Sequence, residues 1–234
     1  MEGSPKRPSH AFPRIRGQAV RASLGRMRGT ATVLHDVPGS GVVRWFRFVR
    51  RNRLYTPRYW VLGLRYLWRF KVRNRHVVTR GMVFVARSAR IECRRGLGHL
   101  ELGRWAWIGS GNAIRCHEGF MRIGDKTVFG SNVTVDGYLD VDIGPECLIA
   151  EGAYVTDYDH EYRDPQAPIR KQGIVKSRTR IDGDCWIGQS ATILRGTSIG
   201  RGSVVGARSV VKGEVAPYSV VAGNPARVVR RRGG

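Results

Sequence analysis

The chain has 234 residues, with 41 Lys+Arg against 18 Asp+Glu and a formal net charge of +23. That length suits one structural domain with attachments. It contains no apolar run long enough for a signal peptide or a membrane-spanning helix, and its four cysteines lack C-x-x-C spacing, so they read as buried reduced thiols with no sign of export. The charge is uneven: residues 1–80 hold 19 basic and 2 acidic residues, a balance of +17, and the remainder carries only +6.

Residues 1–39 are rich in Arg, Pro, Gly and Ser without periodicity and read as a basic disordered tail. A start codon assigned too far upstream would give the same pattern. Residues 40–76 read as a basic amphipathic helical segment. Trp45, Phe46, Phe48 and Val49 are interleaved with Arg44, Arg47, Arg50, Arg51 and Arg53. Thr56-Pro57 then supplies an N-cap and a first-turn proline. Beyond it Arg58, Arg65, Arg69 and Arg73 stack on one face, opposite Trp60, Leu64, Leu67 and Trp68, with Tyr59, Tyr66 and Phe70 on the flanks. Two uses fit this helix: lying in the headgroup layer of an anionic membrane, or capping the end of the domain that follows. Arginine with aromatics also suits nucleic acid, but no reader motif supports that use.

From residue 77 to 216 a period of six takes over. Ile181, Ile187, Ile193, Ile199, Val205 and Val211 fall at that step, as do Leu102, Ile108 and Ile114, then Ile123, Phe129 and Val135, then Ile143, Ile149 and Val155. Six is an even number and fits the two-residue alternation of a strand, whereas no helix returns to one face at that step. The fourth residue after each aliphatic is small, as at Thr127, Cys147, Ala153, Cys185, Ala191 and Ser203, and Gly188, Gly200 and Gly206 follow directly on the aliphatics. Large and small residues alternating in a narrow core, with turns every six, predict a triangular coil of short parallel strands that buries its faces by stacking.

The phase fails over residues 156–180, a polar stretch containing Pro165 and Pro168 that must leave the prism as a loop. At its start His160 is flanked by Asp157, Asp159 and Glu161, carboxylates that could orient or polarise the ring of a general base. On residue type alone, a solvated loop histidine is the commoner reading. Residues 217–234 form a C-terminal segment.

Three stretches carry a family resemblance: IGPECLIAEGAYVTDYDH at 143–160, IDGDCWIG at 181–188, and IGRGSVVGARSVV followed by APYSVVAGNPARVVR within 199–230. They resemble the hexapeptide-repeat acyltransferases, especially the maltose, galactoside and lipopolysaccharide O-acetyltransferases. The resemblance implies an all-β fold, a left-handed parallel β-helix, assembled as a homotrimer with each active site shared between neighbours. It implies His160, seventeen residues after Ile143, as the base that takes a proton from an acceptor hydroxyl, with acetyl-CoA as co-substrate and no metal. It places Trp186 near the pantetheine, Ala207 beside it, and Arg227 and Arg230 at the nucleotide end, where planar guanidinium forks suit phosphate.

The resemblance implies a sugar or glycan hydroxyl as acceptor, with Asn132 and Asp159 as contact candidates. The sugar-contacting Asn of the maltose and galactoside enzymes falls at Gly130, so their specificity does not transfer. No cysteine sits where an acyl carrier would, which favours direct transfer in a ternary complex. A zinc-dependent carbonic anhydrase on this scaffold would need three histidines; His99, His117 and His160 exist without the H-x-x-x-x-H pair. A non-catalytic scaffold or membrane-associated binding module is the alternative. The expected location is the cytoplasm, at the inner membrane face if the helix docks there and the acceptor is a cell-envelope or lipid-linked saccharide.

Overall fold

The computed structural model describes Arg50, residues 57–74 and residues 76–234. The tail 1–39, the aromatic run 40–49 and the Thr56 cap lie outside the described residues. Arg58–Gly234 forms one compact unit.

Alternation within each hexad is what builds the unit. Leu102, Ile108 and Ile114 are fully buried, and so, to within about 1% exposure, are Ile123, Phe129, Val135, Ile143, Ile149, Val155, Ile181, Ile187, Ile193, Ile199 and Val205. The residues before them point outward. Three parallel sheets result, each made of one strand per coil. The first face runs from Val78–Thr79 through Gly98–Leu102, Gly119–Ile123, Asp140–Ile143, Thr179–Ile181 and Ser198–Ile199 to Glu214–Val215. The second contains Phe84–Val85, Trp107–Ile108, Val128–Phe129, Leu148–Ile149, Trp186–Ile187, Val204–Val205 and Ser219–Gly223, and the third runs from Arg90–Cys93 to Val210–Val211. The in-register pairing Ile123↔Ile143↔Ile181↔Ile199 stacks like on like along the axis. The architecture is therefore a three-sided parallel β-helix of about six turns.

The small residues close the corners as expected: Thr127, Val133, Cys147, Ala191 and Ser203 are fully buried. Their polar atoms are satisfied by backbone, as when Thr127 donates to the Gly144 carbonyl at 2.7 Å. The corners turn through left-handed conformations, with Lys126, Glu146 and Asp184 in one column and Asn132, Ser190 and Arg208 in another. Gly119 needs its glycine twice over: φ is +65°, and a Cβ would collide with the carbonyl oxygen of Leu139.

The slips in the six-residue phase have one location. Steps from first to second and second to third face stay at six, while the longer gaps Ile114 to Ile123, Val135 to Ile143 and Val155 to Ile181 all bridge the third face back to the first. Every extra residue of the repeat is thus extruded along a single edge. At the far end Ala226–Arg231 folds back antiparallel on Ser219–Gly223, so residues beyond 216 continue the second face.

At the near end Pro57–Tyr66 is an α-helix running into a π-helical stretch, Leu67–Arg73. Phe70 is buried in the core beneath the first coil, with Tyr66 packed against it and donating to or accepting from Thr79 Oγ1 at 3.0 Å. Arg69 donates to the Ala89 carbonyl. The cap is made by the flank of the helix. Its apolar stripe, Trp60, Val61, Leu64, Trp68 and Val72, stays 53–69% exposed.

Candidate active site

The loop is tied to the third-to-first edge at its neck. Thr179 Oγ1 donates to the Thr156 carbonyl at 2.8 Å and Ser177 N to the Asp157 carbonyl at 2.8 Å. Beyond the neck Tyr158–His160 and Ile174–Lys176 pair as an antiparallel hairpin, and the tip is held by Gln172, whose Nε2 donates to the carbonyls of Asp164 and Ala167. His160 therefore sits exposed on a short ordered strand.

The three carboxylates expected around its ring are employed elsewhere. Asp157 is fully buried and accepts the backbone N–H groups of Tyr138, Leu139 and Asp140 at 2.7–2.8 Å, fixing the corner of the preceding coil. Asp159 accepts the His160 backbone N–H at 3.0 Å and lies 3.9 Å from Arg195 Nε, a buried donor with no hydrogen-bond partner among the described residues. Glu161 accepts from the backbone of Tyr162 and Arg163. The reason is geometric: alternate residues of a strand point to opposite sides, so neighbours in sequence do not converge on one ring.

What does approach His160 is an aromatic and ionic column on the same edge, contributed one coil at a time. Tyr158 lies edge-on to Tyr138 at 4.5 Å and 6.4 Å from the His160 ring, and Tyr138 stacks on His117 at 4.4 Å. His117 Nε2 is 2.8 Å from Asp136 Oδ1, and Arg115 lies 3.5 Å from the other oxygen of that nearly buried carboxylate. Lys176 bonds Glu118 at 2.5 Å and sits 5.7 Å over the Tyr138 ring. That hydrogen bond holds the Glu118 carboxyl below its ordinary range, while burial, aided by the Asp136 charge, pushes the Tyr158 phenol up and keeps it protonated. Sequence reasoning missed this column because its members fall at the slips. Only the knowledge that all slips share an edge would have aligned His117, Tyr138 and Tyr158.

The residues expected to meet the cofactor lie elsewhere. Trp186, 53% exposed, stands on the outer side of the second face, where register partners Trp186↔Val204↔Val220↔Arg230 form one outward line. Arg227 pairs with Ala222 on the same strands, and Ala207 is exposed at the adjoining corner between second and third faces. Asn132 is exposed at that same corner three coils earlier. The line continues toward the cap as Leu148, Val128, Trp107 and Phe84, an apolar column on the outside of the sheet. The corresponding line on the first face is ionic, with Arg122 bonded to Asp142 at 3.3 Å. His160 and Asp159 thus occupy one margin of the third face, and Trp186, Ala207, Arg227, Arg230 and Asn132 group around the other.

Cys147 and Cys185 point into the axis as expected, and hydrogen bonding to Cys185 with burial raises the Cys147 thiol. Cys93 is less buried than expected and lines a pocket with Cys116; burial raises both, Cys116 to about 12, so neither is a thiolate at neutral pH. His99 packs on Phe120 and His117 on Asp136, so the three histidines do not converge. Among the described residues no group of three or more His, Cys, Asp or Glu is placed to hold a metal.

A β-helix of stacked hexads with one extruded, histidine-bearing loop defines a class of repeat protein. The family model "Hexapeptide repeat of succinyl-transferase" matches residues 121–157 and 178–212. A Mycobacterium tuberculosis protein described as a probable acetyltransferase is 47% identical over 186 residues, 80% of this chain and 62% of that protein. WbbJ of Escherichia coli, named for lipopolysaccharide biosynthesis O-acetyl transfer, is 35% identical over 116 residues, covering 44% of this chain and 59% of its own length. The chain thus spans about 60% of the length of these curated relatives. Among solved structures, the N-acyltransferase AntD of Bacillus cereus, in complex with dTDP and 3-hydroxybutyryl-CoA, shares the fold with a TM-score of 0.60 at 18% identity, covering 70% of this chain and 88% of its own. The chain thus carries the hexapeptide repeat and is similar to acetyltransferases built on it.

Proposed function

We propose that the protein is an acetyl-CoA-dependent O-acetyltransferase acting on a saccharide hydroxyl. The observation that carries this reading is the division of the candidate residues between opposite margins of the third face. One chain offers a base without a cofactor wall beside it, and a cofactor wall without a base. A neighbouring copy completes both, as expected of a homotrimer, and the exposed apolar column on the second face is the surface such a neighbour and a pantetheine arm would cover.

In the resulting crevice acetyl-CoA lies along Trp186 and Ala207 with its phosphates toward Arg227 and Arg230. His160 takes the proton of the acceptor hydroxyl as its oxygen bonds to the acetyl carbonyl carbon. The C–S bond then breaks, and the departing sulfur receives the proton. Transfer is direct, because burial raises the Cys93 and Cys116 thiols and Cys147 and Cys185 are buried in the axis, leaving no evident carrier. Asp159 and Asn132 are assigned to the acceptor, from the two sides of the crevice.

The exposed stripe on the capping helix, together with the +17 balance of residues 1–80, supports peripheral docking on an anionic membrane and a cell-envelope or lipid-linked acceptor. No helix among the described residues is long and apolar enough to cross a membrane.

The test is thiol release from acetyl-CoA with a panel of envelope saccharides. His160→Ala is expected to lower turnover by about 10²–10⁴ while CoA still raises the melting temperature. Near-normal turnover in that variant removes the assigned base. A protein that ignores CoA at millimolar concentration is the non-catalytic scaffold instead.

A further inference from the structure

The edge that carries His160 begins, at the capped end, in an open pocket of about 470 Å³. Arg94, Arg95 and Arg115 line it with His76 and His117, and Glu92 is the acid among them. Arg115 is engaged, 3.8 Å from Glu92 and 3.5 Å from Asp136. Arg94 and Arg95 are exposed, and among the described residues neither has a carboxylate within ion-pair distance. Two exposed guanidiniums outside ion-pair distance of any described carboxylate, with the Glu118 charge acting on Arg94 through space and a third guanidinium beside them, give the pocket donors for an anion of more than one charge.

From this pocket the edge leads without interruption to the base. The register Cys93↔Cys116↔Gly137 and the pairing Asp136↔Thr156 set Arg94, His117, Tyr138 and Tyr158 on successive coils. Three coil steps of ~4.8 Å separate the arginines from the His160 strand, about 14 Å. The intervening lining is the stacked His117–Tyr138 pair with Tyr158 edge-on, flanked by Asp136, Glu118 and Lys176. Aromatic faces for the C–H side of a sugar ring, with charged groups to meet its hydroxyls, are what a saccharide needs.

Resting on the acetyltransferase reading above, we propose that the acceptor is a phosphate-linked saccharide: its diphosphate is held by Arg94 and Arg95, with Arg115 behind them, and its sugar lies along the tyrosines toward His160. The ester beyond the phosphate would leave past Asn74, where the capping helix ends. A prenyl chain and a nucleoside both satisfy this chemistry, and the experiment separates them.

Binding of inorganic pyrophosphate to the full chain is measured by calorimetry at physiological ionic strength, alongside the melting shift given by CoA. Arg94→Ala/Arg95→Ala is expected to weaken pyrophosphate by about tenfold or more, while Arg201→Ala/Lys212→Ala, which removes two exposed cations from the other end, binds as the parent does. Equal affinity in both double variants overturns the proposal and assigns the binding to diffuse charge. The CoA shift is read independently, so a lost CoA response with an intact pocket sinks the enzyme reading and not the anion site. Competition by farnesyl diphosphate in micelles but not by UDP-glucose identifies the lipid-linked source, and the reverse pattern the nucleotide-linked one. Competition by neither leaves a bare anion site and overturns the acceptor assignment.

Discussion

His160 and Asp157 stand three positions apart in one loop and serve different ends. His160 touches nothing that holds the fold, so its removal should be felt in turnover alone. Asp157 is fully buried and satisfies three backbone N–H groups of the coil before it. Truncating it takes the acceptor from three part-buried N–H donors, and hydrogen bonds to a charged group contribute roughly 1.5–3 kcal/mol. Asp157→Ala should lower the urea midpoint by a corresponding amount, whereas His160→Ala should stay within about 0.5 kcal/mol of the parent. If Asp157→Ala unfolds at the parent's midpoint, the carboxylate is not what holds the corner at Tyr138.

The capping helix divides its surface between two environments. Phe70 and Tyr66 belong to the core, and Trp60, Val61, Leu64, Trp68 and Val72 face outward. An apolar stripe bordered by arginine adds a salt-resistant component to membrane binding, because burial of carbon surface does not depend on screening while the attraction of the basic segment does. Sedimentation with phosphatidylglycerol-rich vesicles should therefore show a fraction bound at high salt, and Trp60→Ser/Leu64→Ser should abolish that fraction with low-salt binding largely retained. Persistence of the high-salt fraction in the double variant would place docking elsewhere.

On the scale of the whole molecule, the edges of the prism specialise. One face is ionic, one apolar, and one edge collects every insertion, so the proposed base and the proposed cofactor wall lie on separate margins. A site shared between protomers predicts complementation. Co-expressing His160→Ala and Trp186→Ala chains should restore activity, because each mixed trimer contains one interface where an intact histidine meets an intact tryptophan. Random assembly gives roughly a quarter of the parental turnover. Mixtures no more active than either variant alone would show that both residues act within one chain.

Periodicity in the amino-acid sequence was sufficient for the strands and for the core. Ile181 through Val211 mark inward positions because a narrow solenoid tests each hexad locally, and a polar residue at such a position would lose its water with no partner to replace it. The departure of this polar stretch and the exposure of His160 followed from the same rule, although Thr156 and Thr179–Ile181 at its expected ends stay in strands of the prism. Partnerships across coils did not. Asp157 adjoins the histidine strand in sequence yet serves Tyr138, Leu139 and Asp140 across the coil. His117, Tyr138 and Tyr158 meet although twenty or so residues separate each from the next. Those contacts depend on which edge absorbs the irregular steps, and that is decided only when stacked coils set the register of every strand above and below.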